Sequence, residues 1–84
     1  MAHVVMYCTE TCPFCANAEK LLVSKGVDIE KIDIEKEPEK FASITETIGK
    51  DSVPQIFIDG KHVGGFDDIS ELDMDDELDP LLGI

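Results

Sequence analysis

Two cysteines with two residues between them, set where an apolar strand gives way to an amphipathic helix, constrain this chain more than any other feature. His3 to Cys8 is rich in Val with one Tyr and reads as a buried strand. Cys12-Pro13-Phe14-Cys15 follows. Pro13 suits a first helical turn, Ala16, Ala18, Leu21 and Leu22 form an apolar stripe running up to Lys25, and Gly26 is a helix stop. A strand feeding straight into a helix calls for a second, parallel strand reached by a right-handed crossover. Val27 to Ile34 supplies it, with Val27, Ile29, Ile32 and Ile34 set against Asp28, Glu30 and Asp33.

The remaining pattern completes the layers. Glu37-Pro38-Glu39 opens a second helix, with Pro near its first position and acids at the positive end of its dipole. Phe41, Ile44 and Ile48 are expected to face inward, and Gly49 ends the helix. Gln55 to Ile58 reads as a third strand, Asp59-Gly60 as a two-residue hairpin turn, and His62-Val63 as the start of a fourth strand ended by Gly64-Gly65. A last helix is expected from about Asp67, carrying Ile69, Leu72 and Met74, with Leu78, Leu81 and Leu82 covering the sheet. The order is β-α-β-α-β-β-α, an α/β fold with a four-stranded mixed sheet and helices on both faces. With 84 residues, 1–84 is expected to be a single domain.

The start of a helix is where a thiol becomes reactive. Its first N–H groups lack internal partners and its dipole is positive there, so a thiolate at Cys12 is favoured. The spacing puts Cys15 one turn below, nearer the interior and less acidic. Cys12 is therefore expected to attack and Cys15 to resolve. Three other readings compete. A zinc site needs four ligands, and only Cys8, His3 and His62 remain, with His3 at the far end of its strand. Cys8-x-x-x-Cys12-x-x-Cys15 matches the spacing that holds an iron–sulfur cluster in radical enzymes using S-adenosylmethionine, but 84 residues cannot supply their barrel. Inert burial suits Cys8 and not Cys12. No metal is assigned, and His62 is expected to be exposed.

Charge narrows the partners. Nineteen acids against seven basic residues give a formal charge of −12, and all seven are Lys. Such a surface repels phosphate backbones and anionic membranes, so no nucleic-acid or membrane partner is expected. No run approaches the roughly 20 apolar residues of a membrane helix. The N-terminus carries no basic leader, so a cytoplasmic location is expected. Three Cys in a reducing compartment point to redox chemistry rather than to a disulfide framework. Residues 67–79 hold eight acids and no base, which reads first as a solvated face and second as a dock for a basic partner.

Three segments together carry a resemblance. Cys12-Pro13-Phe14-Cys15 is one aromatic swap from Cys-Pro-Tyr-Cys, Ser52-Val53-Pro54 is similar to Thr-Val-Pro, and Gly64-Gly65-Phe66-Asp67-Asp68 to Gly-Gly-x-Asp-Asp. In this order over nearly the whole chain, through Leu78-Asp79-Pro80-Leu81-Leu82, the sequence resembles the dithiol class of small bacterial-type glutaredoxins. The resemblance implies a thioredoxin-like fold and glutathione as co-substrate, with no tightly bound cofactor. It implies a cis Pro54, with the Val53 backbone pairing with the cysteinyl part of glutathione. It also implies that N–H groups near Phe66 and Asp67 hold the γ-glutamyl carboxylate and that Asp68 takes the ammonium. Phe14, Ser52 and Gly65 complete the expected glutathione site. Asp67 could equally be only an N-cap, and Asp68 a solvated first-turn acid.

The family's basic residues near Thr9 and in the second helix are missing. The loop reads Thr9-Glu10-Thr11, the helix Thr45-Glu46-Thr47-Ile48, and Lys50 is the nearest base. Glu10 is expected to disfavour the Cys12 thiolate. The implied activity is reduction of protein disulfides and glutathionylated proteins by a monomer. Two alternatives are a redoxin recharged by thioredoxin reductase and a glutathione-ligated iron–sulfur carrier, the latter opposed by the stiff Pro13.

Overall fold

The computed structural model describes residues 2–84. Its elements are β1 (Val4–Cys8), α1 (Pro13–Ser24), β2 (Ile29–Asp33), α2 (Pro38–Ile48), β3 (Gln55–Ile58), β4 (Lys61–Gly64), α3 (Phe66–Met74) and α4 (Leu78–Leu82). The four strands lie in the order β2-β1-β3-β4. β1 runs parallel to β2 and antiparallel to β3, and β3 and β4 form an antiparallel hairpin. This is the mixed sheet expected from the sequence. Asp59 (φ 53°) and Gly60 (φ 81°) both take the left-handed conformation that a tight hairpin turn demands.

Strand alternation divides the sheet into two unequal faces. Val4, Met6 and Cys8 of β1 and Ile56 and Ile58 of β3 point to one side. There they meet Cys15, Ala18 and Leu22 of α1, Ile69 of α3, and Leu78 and Leu82 of α4. Val4, Leu22, Ile56, Ile69, Leu78 and Leu82 are all completely buried. Each such side chain contributes on the order of 1.5–3 kcal/mol by leaving water. On the other side, Tyr7 packs edge-on against Phe57 with ring centroids 5.8 Å apart, and against Phe41 of α2 at 6.3 Å.

Several sequence expectations shift. The stripe on α1 is Cys15, Ala18 and Leu22, with Leu21 half-buried; Ala16 is exposed, because one residue past Cys15 turns the side chain about 100° from the core. Val27 is buried but precedes β2, which begins at Ile29. Phe41, Ile44 and Ile48 are only half-buried, and α2 buries no residue fully. Unlike α1, which α3 flanks, α2 is an outer layer with open sides. α3 begins at Phe66, one residue earlier than expected, and Met74 is 82% exposed. Leu78 to Leu82 forms a helix of its own, set off from α3 by Asp76 in a left-handed conformation (φ 60°), and Leu81 faces solvent. Lys25 at the end of α1 joins these last helices, its Nζ lying 2.6 Å from Asp73 Oδ1 and 2.9 Å from Asp79 Oδ1.

Candidate active site

At one end of the sheet the chain leaves β1 and turns directly into α1, with Cys12 as the N-cap. Its backbone is extended (φ −84°, ψ 116°), and its sulfur takes the place of the usual capping oxygen by accepting the Cys15 N–H at 3.4 Å. Burial works against a thiolate at Cys12. The Cys15 thiol and the N–H groups of Cys15 and Phe14 outweigh it and hold the Cys12 pKa below the ordinary thiol value. Glu10, expected to oppose the thiolate, instead reaches Lys36 at 3.6 Å.

Cys15 differs in every respect. It is 4% exposed, and burial pushes its thiol up to about 12; a backbone contact from Thr9 opposes the rise and the neighbouring Cys12 adds to it. Cys8, at the end of β1, is also buried, and its thiol is raised chiefly by that burial. Among the described residues no group of three or more His, Cys, Asp or Glu side chains is arranged to hold a metal ion.

Beside Cys12 runs the loop between α2 and β3. The Val53-Pro54 peptide is cis, and the Val53 carbonyl lies 3.8 Å from Cys12 Sγ. Pro54 and the start of α3 then make the far wall. Gly64 (φ +127°) brings the chain so close to α3 that a Cβ there would collide with the Asp68 carboxylate, and a Cβ on Gly65 would sit 3.2 Å from the Pro54 carbonyl. Gly65, not Asp67, is the N-cap of α3; its N–H donates to Asp68 Oδ2 at 2.9 Å. Asp68 thus closes the first turn of α3 with one oxygen and leaves the other free, while Asp67 is the second helical residue and exposed.

These segments enclose an open groove of about 190 Å³ lined by Phe14, Lys50, Ser52, Val53, Pro54, Gln55, Gly65, Phe66, Asp67 and Asp68. All eight residues singled out from the sequence beside the two cysteines lie along it. Lys50, noted there as the nearest base, lines it too. Gln55 was missed: it reads as an ordinary strand residue, yet it is buried with its amide bonded to Ser52. His62, expected to be exposed, is half-buried, bonded to Gln55 Oε1 at 2.8 Å and packed at a tilt against Phe57 with ring centroids 5.1 Å apart. The β3–β4 pairing, bulged between Ile56 and Phe57, sets His62 opposite Phe57 on the same face as Gln55.

The comparisons with known proteins agree with this geometry. The Glutaredoxin family model matches residues 4–63. Glutaredoxin 3 of Escherichia coli (strain K12) is 46% identical over 82 residues, covering 98% of this chain and 99% of its own. A crystal structure of a buckwheat glutaredoxin–glutathione complex superposes with a TM-score of 0.91 at 29% identity, over 98% of this chain and 77% of that one. The solution structure of a glutaredoxin from Brucella melitensis gives a TM-score of 0.84 at 43% identity, over 98% and 89% of the two chains. With a thioredoxin-like sheet, a dithiol capping its first helix and relatives matched end to end, the chain belongs to the glutaredoxin family of glutathione-dependent thiol–disulfide oxidoreductases.

Proposed function

We propose that Cys12 is the nucleophile, that Cys15 resolves, and that glutathione occupies the groove beside them. The observation that carries this reading is the contrast between the two sulfurs, one favoured as thiolate at a helix cap and partly exposed beside Val53, the other buried and held as thiol. On a glutathionylated protein, the Cys12 thiolate attacks the glutathionyl sulfur, and the protein leaves as its thiolate. A second glutathione thiolate then attacks the same glutathionyl sulfur, giving oxidised glutathione and restoring Cys12.

On a protein disulfide, Cys12 first forms a mixed disulfide with one client sulfur and releases the other as thiolate. Forming that bond removes the Cys12 charge, one of the influences that keep the proton on Cys15. Cys15 then loses its proton, attacks Cys12 and frees the client as a dithiol. Two glutathiones reduce the Cys12–Cys15 disulfide.

In the groove, the Val53 N–H and C=O are matched to the cysteinyl backbone of glutathione, a short strand addition. The first N–H groups of α3, near Phe66 and Asp67, face its γ-glutamyl carboxylate, and the free oxygen of Asp68 suits the ammonium. Lys50 is the cation on hand for the glycine carboxylate, with Phe14 and Pro54 as apolar walls and Ser52 and Gly65 completing the lining. Lys50 also favours glutathione over thioredoxin reductase as the reductant. Residues 1–84 act as one domain and a monomer suffices, since every group named comes from one sheet and its helices. Recharging by glutathione requires a reducing compartment, and we place the protein in the cytoplasm.

The test is a pair of variants assayed with glutathione and glutathione reductase, and in parallel with thioredoxin reductase. Cys12→Ser is expected to lose all activity. Cys15→Ser is expected to keep deglutathionylation and to lose reduction of protein disulfides. An active Cys12→Ser beside a Cys15→Ser that is dead in both assays would reverse the roles, and faster recharging by thioredoxin reductase would replace the reductant.

A further inference from the structure

The buried amide of Gln55 clips together the two ends of the loop that faces Cys12. Its Nε2 lies 2.9 Å from the Ser52 carbonyl oxygen and 3.2 Å from Ser52 Oγ. A carbonyl can only accept, so the amide nitrogen must face Ser52, and the amide oxygen is left facing His62 Nε2 at 2.8 Å. His62 must then donate, and its ring carries hydrogen on Nε2. That hydrogen is present in the imidazolium too, so the bond survives protonation. Gln55 is only 2% exposed, so without His62 its oxygen would lack both a protein partner and ready access to water.

Between the clipped ends, Ser52 and Gln55, lie Val53 and Pro54, and the Val53 carbonyl sits 3.8 Å from Cys12 Sγ. His62 belongs to β4 and does not line the groove. We propose that His62 is a positioning residue for glutathione: by donating to Gln55 it fixes the amide that sets the Val53 backbone beside Cys12. The inference rests on the reading that the Val53 backbone pairs with glutathione.

The parent protein, His62→Phe and His62→Gln are compared in turnover with a glutathionylated peptide at varied glutathione. Phe keeps an aromatic ring against Phe57 and removes the donor; Gln restores an N–H of similar reach. His62→Phe is expected to raise the KM for glutathione about 3- to 10-fold, the ratio for one buried hydrogen bond, with kcat changed less than about twofold. His62→Gln is expected to return KM most of the way. A lowered melting temperature in His62→Phe with KM unchanged would overturn the proposal, since His62 would then only stabilise the fold. NMR of the parent needs no variant: the His62 ring is expected to show hydrogen on Nε2, and a ring with hydrogen on Nδ1 alone would overturn the proposal equally. A parent that does not turn over glutathione at all would instead defeat the reading beneath it, a result separable from a change confined to the variants.

Discussion

The two faces of the sheet do different work with the same strands. Beneath α1, α3 and α4, side chains from five elements close around Met6 and Ile56 and leave Leu22, Ile69, Leu78 and Leu82 without solvent contact. Beneath α2 there is a pair of aromatic contacts, a helix that buries none of its residues fully, and the bonded trio of His62, Gln55 and Ser52. The first face holds the molecule together and sets Cys12 and Cys15 at its edge. The second is thin, and polar side chains take up positions there that apolar packing would otherwise fill. Stability and loop geometry are therefore expected to respond to different substitutions.

The largest effect that can break this contrast is loss of stability in the core. Leu22→Ala is expected to destabilise by about 2–5 kcal/mol, since a fully enclosed leucine leaves a cavity. Ile44→Ala in α2, half-buried, is expected to cost about 1 kcal/mol or less. Urea unfolding of both variants measures the difference, and equal losses would mean that α2 is as firmly docked as α1.

A smaller effect follows from the thiols on the packed face. The folded Cys15 value of about 12 lies above the ordinary value of about 8.5. A raised value means that the folded state keeps its proton longer, so the associated stability is complete below about pH 8.5 and declines as pH rises toward 12. Cys8 acts in the same sense, whereas the contribution of Cys12, whose value is lowered, is already complete there. Tyr7 on the thin face joins only above about pH 10. Reduced protein is thus expected to lose stability between pH 8.5 and 10, and Cys15→Ser to lose less of it. Denaturation midpoints at those pH values decide; parallel slopes would show that Cys15 is not held as the neutral thiol.

The smallest effect concerns the uneven distribution of charge. Eight acids in residues 67–79 belong to the packed side, two of them in the groove with Lys50 as its cation. Glutathione is a net anion, so kcat/KM for it is expected to rise with moderate salt, mostly through KM, as exposed charges are screened beyond roughly 8 Å. Glu71→Gln is expected to reproduce part of that rise, and Glu46→Gln on α2 to have less effect. A steady fall with NaCl would mean that attraction to Lys50 outweighs the acidic surface.

Much of this was legible in the sequence because local chemistry dictated it. Asp59-Gly60 names its turn, Pro13 and Gly26 bracket α1, and the alternation of β1 assigns Met6 and Tyr7 to opposite faces. The contrast between the two cysteines was readable because it depends on their places at a helix start. What escaped depended on the register between strands and on what packs around a helix. Gln55 and His62 meet only through the bulged register of β3 with β4, and neither shows that partnership in its neighbours along the chain. The shallow burial of Phe41 and Ile44 likewise follows from what does not flank α2, which helical periodicity cannot report.

The Cys12 sulfur that closes the first turn of α1 does so best when charged. Once it enters a disulfide, the N–H groups that met a thiolate face a neutral sulfur. The interactions that acidify Cys12 therefore favour the dithiol over the disulfide, and they set the reduction potential of the pair. Each increment of about 1.4 kcal/mol gained by the thiolate raises that potential by about 30 mV and makes the oxidised protein a stronger oxidant. A change in the first turn of α1 that leaves both sulfurs in place can thus move the balance between taking electrons and giving them.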